Sequence, residues 1–146
     1  MPIKERLQSD LKEALRLRDE TKVSTIRFLL AATHNLQIEQ GKLSEEDIIS
    51  VIQKQIKQRK ESIAAFKQGG RDELVQKETR EMEILQEYLP EQVSDAEIEI
   101  LVDKTIKDTS ASSLNDMGKV MGILSAQLKG KADMSTVSGL VRKKLS

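Results

Sequence analysis

The 146-residue chain has no cysteine and no tryptophan, one histidine, one tyrosine, two phenylalanines and two prolines. Without cysteine there is no disulfide, no thiolate nucleophile and no thiolate zinc site, and His34 alone supplies no imidazole cluster. Neither a metal nor a cofactor is expected. Net charge is absent too, since 24 basic side chains balance 24 acidic ones, so affinity for nucleic acid has to come from local asymmetry. The longest apolar run, residues 28–32, falls far short of the roughly 20 residues that cross a bilayer. Charges interrupt the first fifteen residues where a secretory leader would be apolar, and the expectation is a cytoplasmic protein. Scarce aromatics limit base stacking, which leaves shape and phosphate contacts as the means of meeting RNA.

What the chain does have is helical periodicity. Ile3, Leu7, Leu11 and Leu15 recur every fourth residue, predicting a first helix over about 3–18. Val23, Ile26, Leu29, Leu30, Thr33 and Leu36 carry a second helix to about Gln40, where Gly41 suits a left-handed cap. Ser44 with Asp47 three residues on marks the start of a third. Ile49, Ile52, Ile56, Ile63 and Phe66 give that helix a seam with one missing position, filled by Arg59. Gly69 and Gly70 turn the chain into a fourth helix with Leu74, Met82, Leu85 and Leu89, making a long helical hairpin. Either Arg59 snorkels outward along its stem, or it pairs with an acid on the fourth helix. A turn centred on the glycines faces it with Glu78 or Glu81, a structural contact and not a catalytic one.

Pro90 stops the fourth helix, and Ser94 with Glu97 matches a capping box. The expected fold is all-α: an amino-terminal four-helix domain over 1–90 and a three-helix tail over 91–146, with helices at 95–108, 114–129 and 134–145. Residues 110–146 hold six bases against Asp116 and Asp133, a local net charge of +4. Those bases are Lys119, Lys129, Lys131, Arg142, Lys143 and Lys144, at helix ends and around the Gly130 turn. Gathered near one turn they would attract phosphate. The competing reading is compensation of the helix dipole by late Lys and Arg. A second basic run, Lys54, Lys57, Arg59 and Lys60, reads as a solvated face answering the acidic fourth helix.

On the sixth helix Gly118, Gly122 and Ala126 form a stripe beside the core stripe of Met117, Val120, Met121, Leu124 and Leu128. Interior glycine weakens a helix by about 0.8–1 kcal/mol relative to alanine, so the stripe predicts a close approach, by a neighbouring helix or an RNA backbone. Gly130 reads as a plain helix stop. No nucleotide-binding glycine motif, paired-histidine metal motif or calcium loop occurs. His34 sits mid-helix without a triad, so no residue is assigned to catalysis.

The segments ERLQSDLKEAL, IKQRKESI, EILQEYLPEQ, SSLNDMGKVMGIL and LKGKADMSTVSGLV, in that order, resemble the bacterial YqeY proteins over essentially the whole chain. These are small stand-alone relatives of the carboxy-terminal part of GatB, a subunit of the tRNA-dependent amidotransferase. The resemblance implies a two-domain helical fold whose tail touches tRNA, with Lys119 and Lys131 reaching phosphate and the glycines admitting the backbone. It also carries a label of carbon–nitrogen ligase with glutamine as amide donor. The chain has no amidase nucleophile arrangement and no synthetase-like phosphate site, so the label is read as ancestry. The expected function is a non-catalytic tRNA-interacting accessory protein. Its alternative is an adaptor that docks an amidotransferase or aminoacyl-tRNA synthetase subunit through the Gly118 and Gly122 face and the Lys54–Lys60 helix.

Overall fold

The computed structural model describes residues 1–146 as seven α-helices and one 3-10 turn, without strand. They fall into two compact units, Met1–Leu89 and Pro90–Ser146.

In the first unit α1 (Ile3–Leu17) ends at Arg18, a left-handed residue with φ 57°, and Asp19 opens α2 (Glu20–Gln40) by accepting from the Lys22 N–H at 3.1 Å. Gly41, at φ 81°, closes α2. Ser44 and Asp47 then form a reciprocal capping box at 2.9 and 3.1 Å that starts α3 (Glu45–Gln68). Hydrogen bonds from the Ser44 backbone N–H and then its hydroxyl hold the Asp47 carboxyl below the usual carboxylate range. Gly70, at φ 69°, turns the chain into α4 (Asp72–Gln86). The Ile3 N–H donates to Glu45 Oε1 at 2.7 Å, tying the starts of α1 and α3. Leu7, Ile26, Leu29, Ile52, Ile84, Leu85 and Tyr88 fill the core, each such side chain contributing about 1.5–3 kcal/mol by burial.

Two details of the expected stripes are corrected. Leu15 is 47 % exposed, and Ala14 is buried in its place. Four residues advance a helix by about 400°, so a strict fourth-residue stripe drifts about 40° each step and has left the core side by its third. On α3 the buried series is Ile48, Ile52, Gln55 and Ile56, with Ile49 only half-buried. The steps from 48 to 52, 55 and 59 keep a heptad register, in which Arg59 shows as the missing seam position but the polar Gln55 escapes an apolar pattern.

In the second unit Ser94 opens α5 (Asp95–Thr109) by accepting from the Glu97 N–H at 3.2 Å. The sixth helix does not start at Leu114 as an α-helix. A 3-10 turn occupies Leu114–Asp116 because the Ser113 hydroxyl takes the Asn115 N–H and Asp116 takes the Ser112 N–H, and α6 (Met117–Leu128) follows. Asp133 caps α7 (Met134–Leu145) through the Ser135 N–H at 3.1 Å. Val102, Val120, Leu124, Val137 and Val141 are fully buried between the three helices. The Gln92 amide donates to the Gly130 carbonyl at 2.8 Å, and the Val93 N–H to that of Lys131 at 2.9 Å, pinning the α6–α7 turn.

Candidate nucleic-acid interface

The six basic residues of the tail do not gather at one turn. Lys129 and Lys131 flank Gly130 just before α7, whereas Arg142, Lys143 and Lys144 lie in its last turn. A 12-residue helix is about 18 Å long, so the two groups sit at opposite ends of α7. Lys144 does not face solvent as a free cation: its ammonium lies 2.7 Å from Asp103 and 3.2 Å from Glu99 of α5. Hydrogen bonds to Asp103 and then Glu99 hold its pKa above the usual lysine range. Lys119 is exposed and donates to the Thr109 carbonyl at 3.3 Å. Lys129, Lys131, Arg142 and Lys143 are likewise exposed.

The expectation of close packing at Gly118 and Gly122 is overturned. Both are exposed, and a Cβ built at either meets nothing within 4 Å. Neither neighbouring helix uses that side, because Val120, Leu124 and Leu128 already turn α6 inward with the other face. The result is an open surface of small residues with Lys119 within it and Ile123, 40 % exposed, beside it. Gly130, at φ 76°, takes the left-handed conformation of a residue just past a helix end.

In the first unit Arg59 lies between both acids of α4, with Nη1 3.4 Å from Glu78 and Nε 3.1 Å from Glu81. These are ion pairs and not aligned hydrogen bonds, since Arg59 Nε and Glu78 Oε2 are buried without a hydrogen-bond partner. The guanidinium also stands 5.5 Å over the ring of Phe28, which is 56 % exposed. Two surface cavities meet at that ring. One, of about 730 Å³, lies at the α1–α2 corner against Leu15, Arg18, Val23 and Arg27; the other lies between α2 and α3 and includes the buried Gln55. Sequence reasoning missed both Phe28 and Gln55. The available signal was Phe28 on the helical face of Ser24, Ala31 and Asn35, where an aromatic has no core to join.

No three acidic or imidazole side chains converge as a metal site, and His34 is exposed beside a crevice of about 250 Å³ with Lys4, Gln8, Leu30 and Thr33. No helix is long and apolar enough to cross a membrane.

The profile of the Yqey-like proteins matches residues 4–145. The chain belongs to that family. Among curated proteins this Yqey-like chain is similar to "Altered inheritance of mitochondria protein 41, mitochondrial" of Pyrenophora tritici-repentis, 34% identical over 130 residues, or 87% of this chain and 71% of that one. The protein of the same name from Eremothecium gossypii is 42% identical over 85 residues, covering 57% of this chain and 46% of the relative. That of Saccharomyces cerevisiae is 38% identical over 103 residues, covering 69% and 55%. The matched segment thus spans about half the length of the latter two. Their names give a compartment and neither a ligand nor a reaction. These relatives are fungal and mitochondrial, whereas the composition and the resemblance pointed to bacterial, cytoplasmic proteins.

Proposed function

We propose that this Yqey-like chain is a non-catalytic accessory protein that binds tRNA through phosphate contacts of its carboxy-terminal unit, its amidotransferase label reflecting ancestry. The observation that carries the reading is the open face of α6, where Gly118 and Gly122 present backbone without obstruction beside the exposed Lys119. Lys131, Arg142 and Lys143 extend the basic surface to both ends of α7, so they meet separate phosphates of one folded RNA. Lys144, paired with Asp103 and Glu99, is the least available of the six bases and contributes least to this surface.

The test is fluorescence anisotropy of folded tRNA and of duplex DNA across a salt series. Binding should favour tRNA and fall steeply with salt, and reversing Lys119 and Lys131 to Glu should abolish it with helicity intact. Lys144→Ala should leave affinity unchanged. Retained binding in the double reversal refutes the site. A second reading, the docking of an amidotransferase or synthetase subunit, draws on the large corner cavity at Leu15, Val23 and Phe28. Its mark would be a protein partner that copurifies after nuclease treatment and is lost in Val23→Glu.

A further inference from the structure

The groove between α2 and α3 uses none of the tail residues and raises a separate question. It holds about 310 Å³ and is walled by Phe28, Ala32 and Glu39 on one side and Val51, Lys54 and Gln55 on the other. Phe28 is one of only three aromatic residues in the chain, yet more than half of it is exposed. Arg59, paired with Glu78 and Glu81, lies over the ring, which still offers exposed apolar surface to the groove. Gln55 is only 4 % exposed, and its side-chain oxygen accepts no hydrogen bond. A buried amide oxygen left unpaired is unfavourable, and the soft terminal torsion of glutamine lets it swing to meet an arriving donor. The remaining walls place one cation, Lys54, and one carboxylate, Glu39, beside the same space.

We propose that this groove binds an adenine nucleotide, either free or as an unpaired residue of an RNA. The base stacks on Phe28, and its exocyclic amine donates to Gln55 Oε1. Glu39 accepts from a ribose hydroxyl, and Lys54 meets the phosphate. A flat apolar body carrying a donor, hydroxyls and an anion matches all four walls, whereas an aliphatic peptide stripe would leave the glutamine oxygen unpaired. Scarce aromatics rule against stacking along a strand, but one ring suffices for one base.

The experiment is an NMR titration of the full chain with AMP. Saturable shifts are expected at the amides of Phe28, Ala32, Lys54 and Gln55, with ribose 5-phosphate giving none there. The purine nucleotide lacking the 6-amino group should bind about tenfold more weakly, because the glutamine oxygen stays unpaired. Phe28→Ala, at an exposed position, should lose about tenfold with unchanged helicity. Gln55→Leu should lose binding while melting no lower than the parent, and if it does not fold Phe28→Ala still decides. Tighter binding of oligoadenylate than of AMP through the same residues assigns the groove to RNA; equal binding assigns it to the free nucleotide. Shifts confined to the carboxy-terminal lysines, or AMP binding indifferent to Phe28→Ala, overturn the proposal. Loss of tRNA binding in the tail reversal leaves these shifts in place, so the two readings fail separately.

Discussion

Replacing Arg59 with Met should destabilise the amino-terminal unit by about 2–3 kcal/mol. Removing one partner of a buried ion pair costs about 3–5 kcal/mol because the other charge stays buried alone. Here two carboxylates lose their cation, with side-chain exposures of 20 % for Arg59, 15 % for Glu78 and 10 % for Glu81. That residual solvent access screens part of the loss and brings it below the fully buried range. The total includes roughly 0.5–1 kcal/mol for the guanidinium over Phe28. For a unit of this size the shift corresponds to about 10–20 °C in melting temperature. The assay is built in: Tyr88 is the only tyrosine, there is no tryptophan, and Tyr88 is 2 % exposed in the first core. Intrinsic tyrosine fluorescence of the full chain therefore follows this unit alone. A triple variant, Arg59→Met with Glu78→Leu and Glu81→Met, should recover most of the loss, since a charge-free cluster has no desolvated ion to compensate. The reasoning fails if Arg59→Met melts within about 1 °C of the parent, or if the triple variant is no more stable than the single one.

Alkaline pH should act through Tyr88, whose hydroxyl burial pushes far above its ordinary range, helped by its hydrogen bond to Asp10. Its contribution is complete below the unfolded phenol value near pH 10 and is lost as pH rises beyond it, so phenolate absorbance should appear together with unfolding and not before. In the tail, Gly122→Ala should stabilise by about 0.8–1 kcal/mol and Gly118→Ala, in the first turn of α6, by less, as read from urea midpoints of tail amides. A lower midpoint for Gly122→Ala would reveal a contact on that face and contradict its openness.

Several helix ends were legible because their causes are local, although α4 stops at Gln86, short of the expected Leu89, and α6 starts after a 3-10 turn. Gly41 needs only freedom to take φ 81°, and Ser44 with Asp47 closes a box within four residues. Arg59 was legible at one remove, since the Gly69–Gly70 turn sets the hairpin register and so selects the acids opposite. Leu15 and Ala14 changed places because an apolar stripe with four-residue spacing precesses around the helix, and only the neighbouring helices define where inside is. Gly118 and Gly122 show the same limit. The core stripe of α6 was legible, but a glycine stripe announces only that something small is wanted, and whether a neighbour comes to meet it depends on where α5 and α7 lie.

By itself the sequence determined an all-α chain, the turns at Gly41 and Gly69–Gly70, the caps at Ser44 and Ser94, and the lack of any thiol. Those follow from residue type and near-neighbour spacing. Only the tertiary structure decided that Lys144 is paired with α5, that the other tail cations divide between the ends of α7, and that Gln55 is buried beside an exposed Phe28. Each of these depends on distances between residues far apart in the chain, and a pattern along one helix carries no information about what stands opposite it.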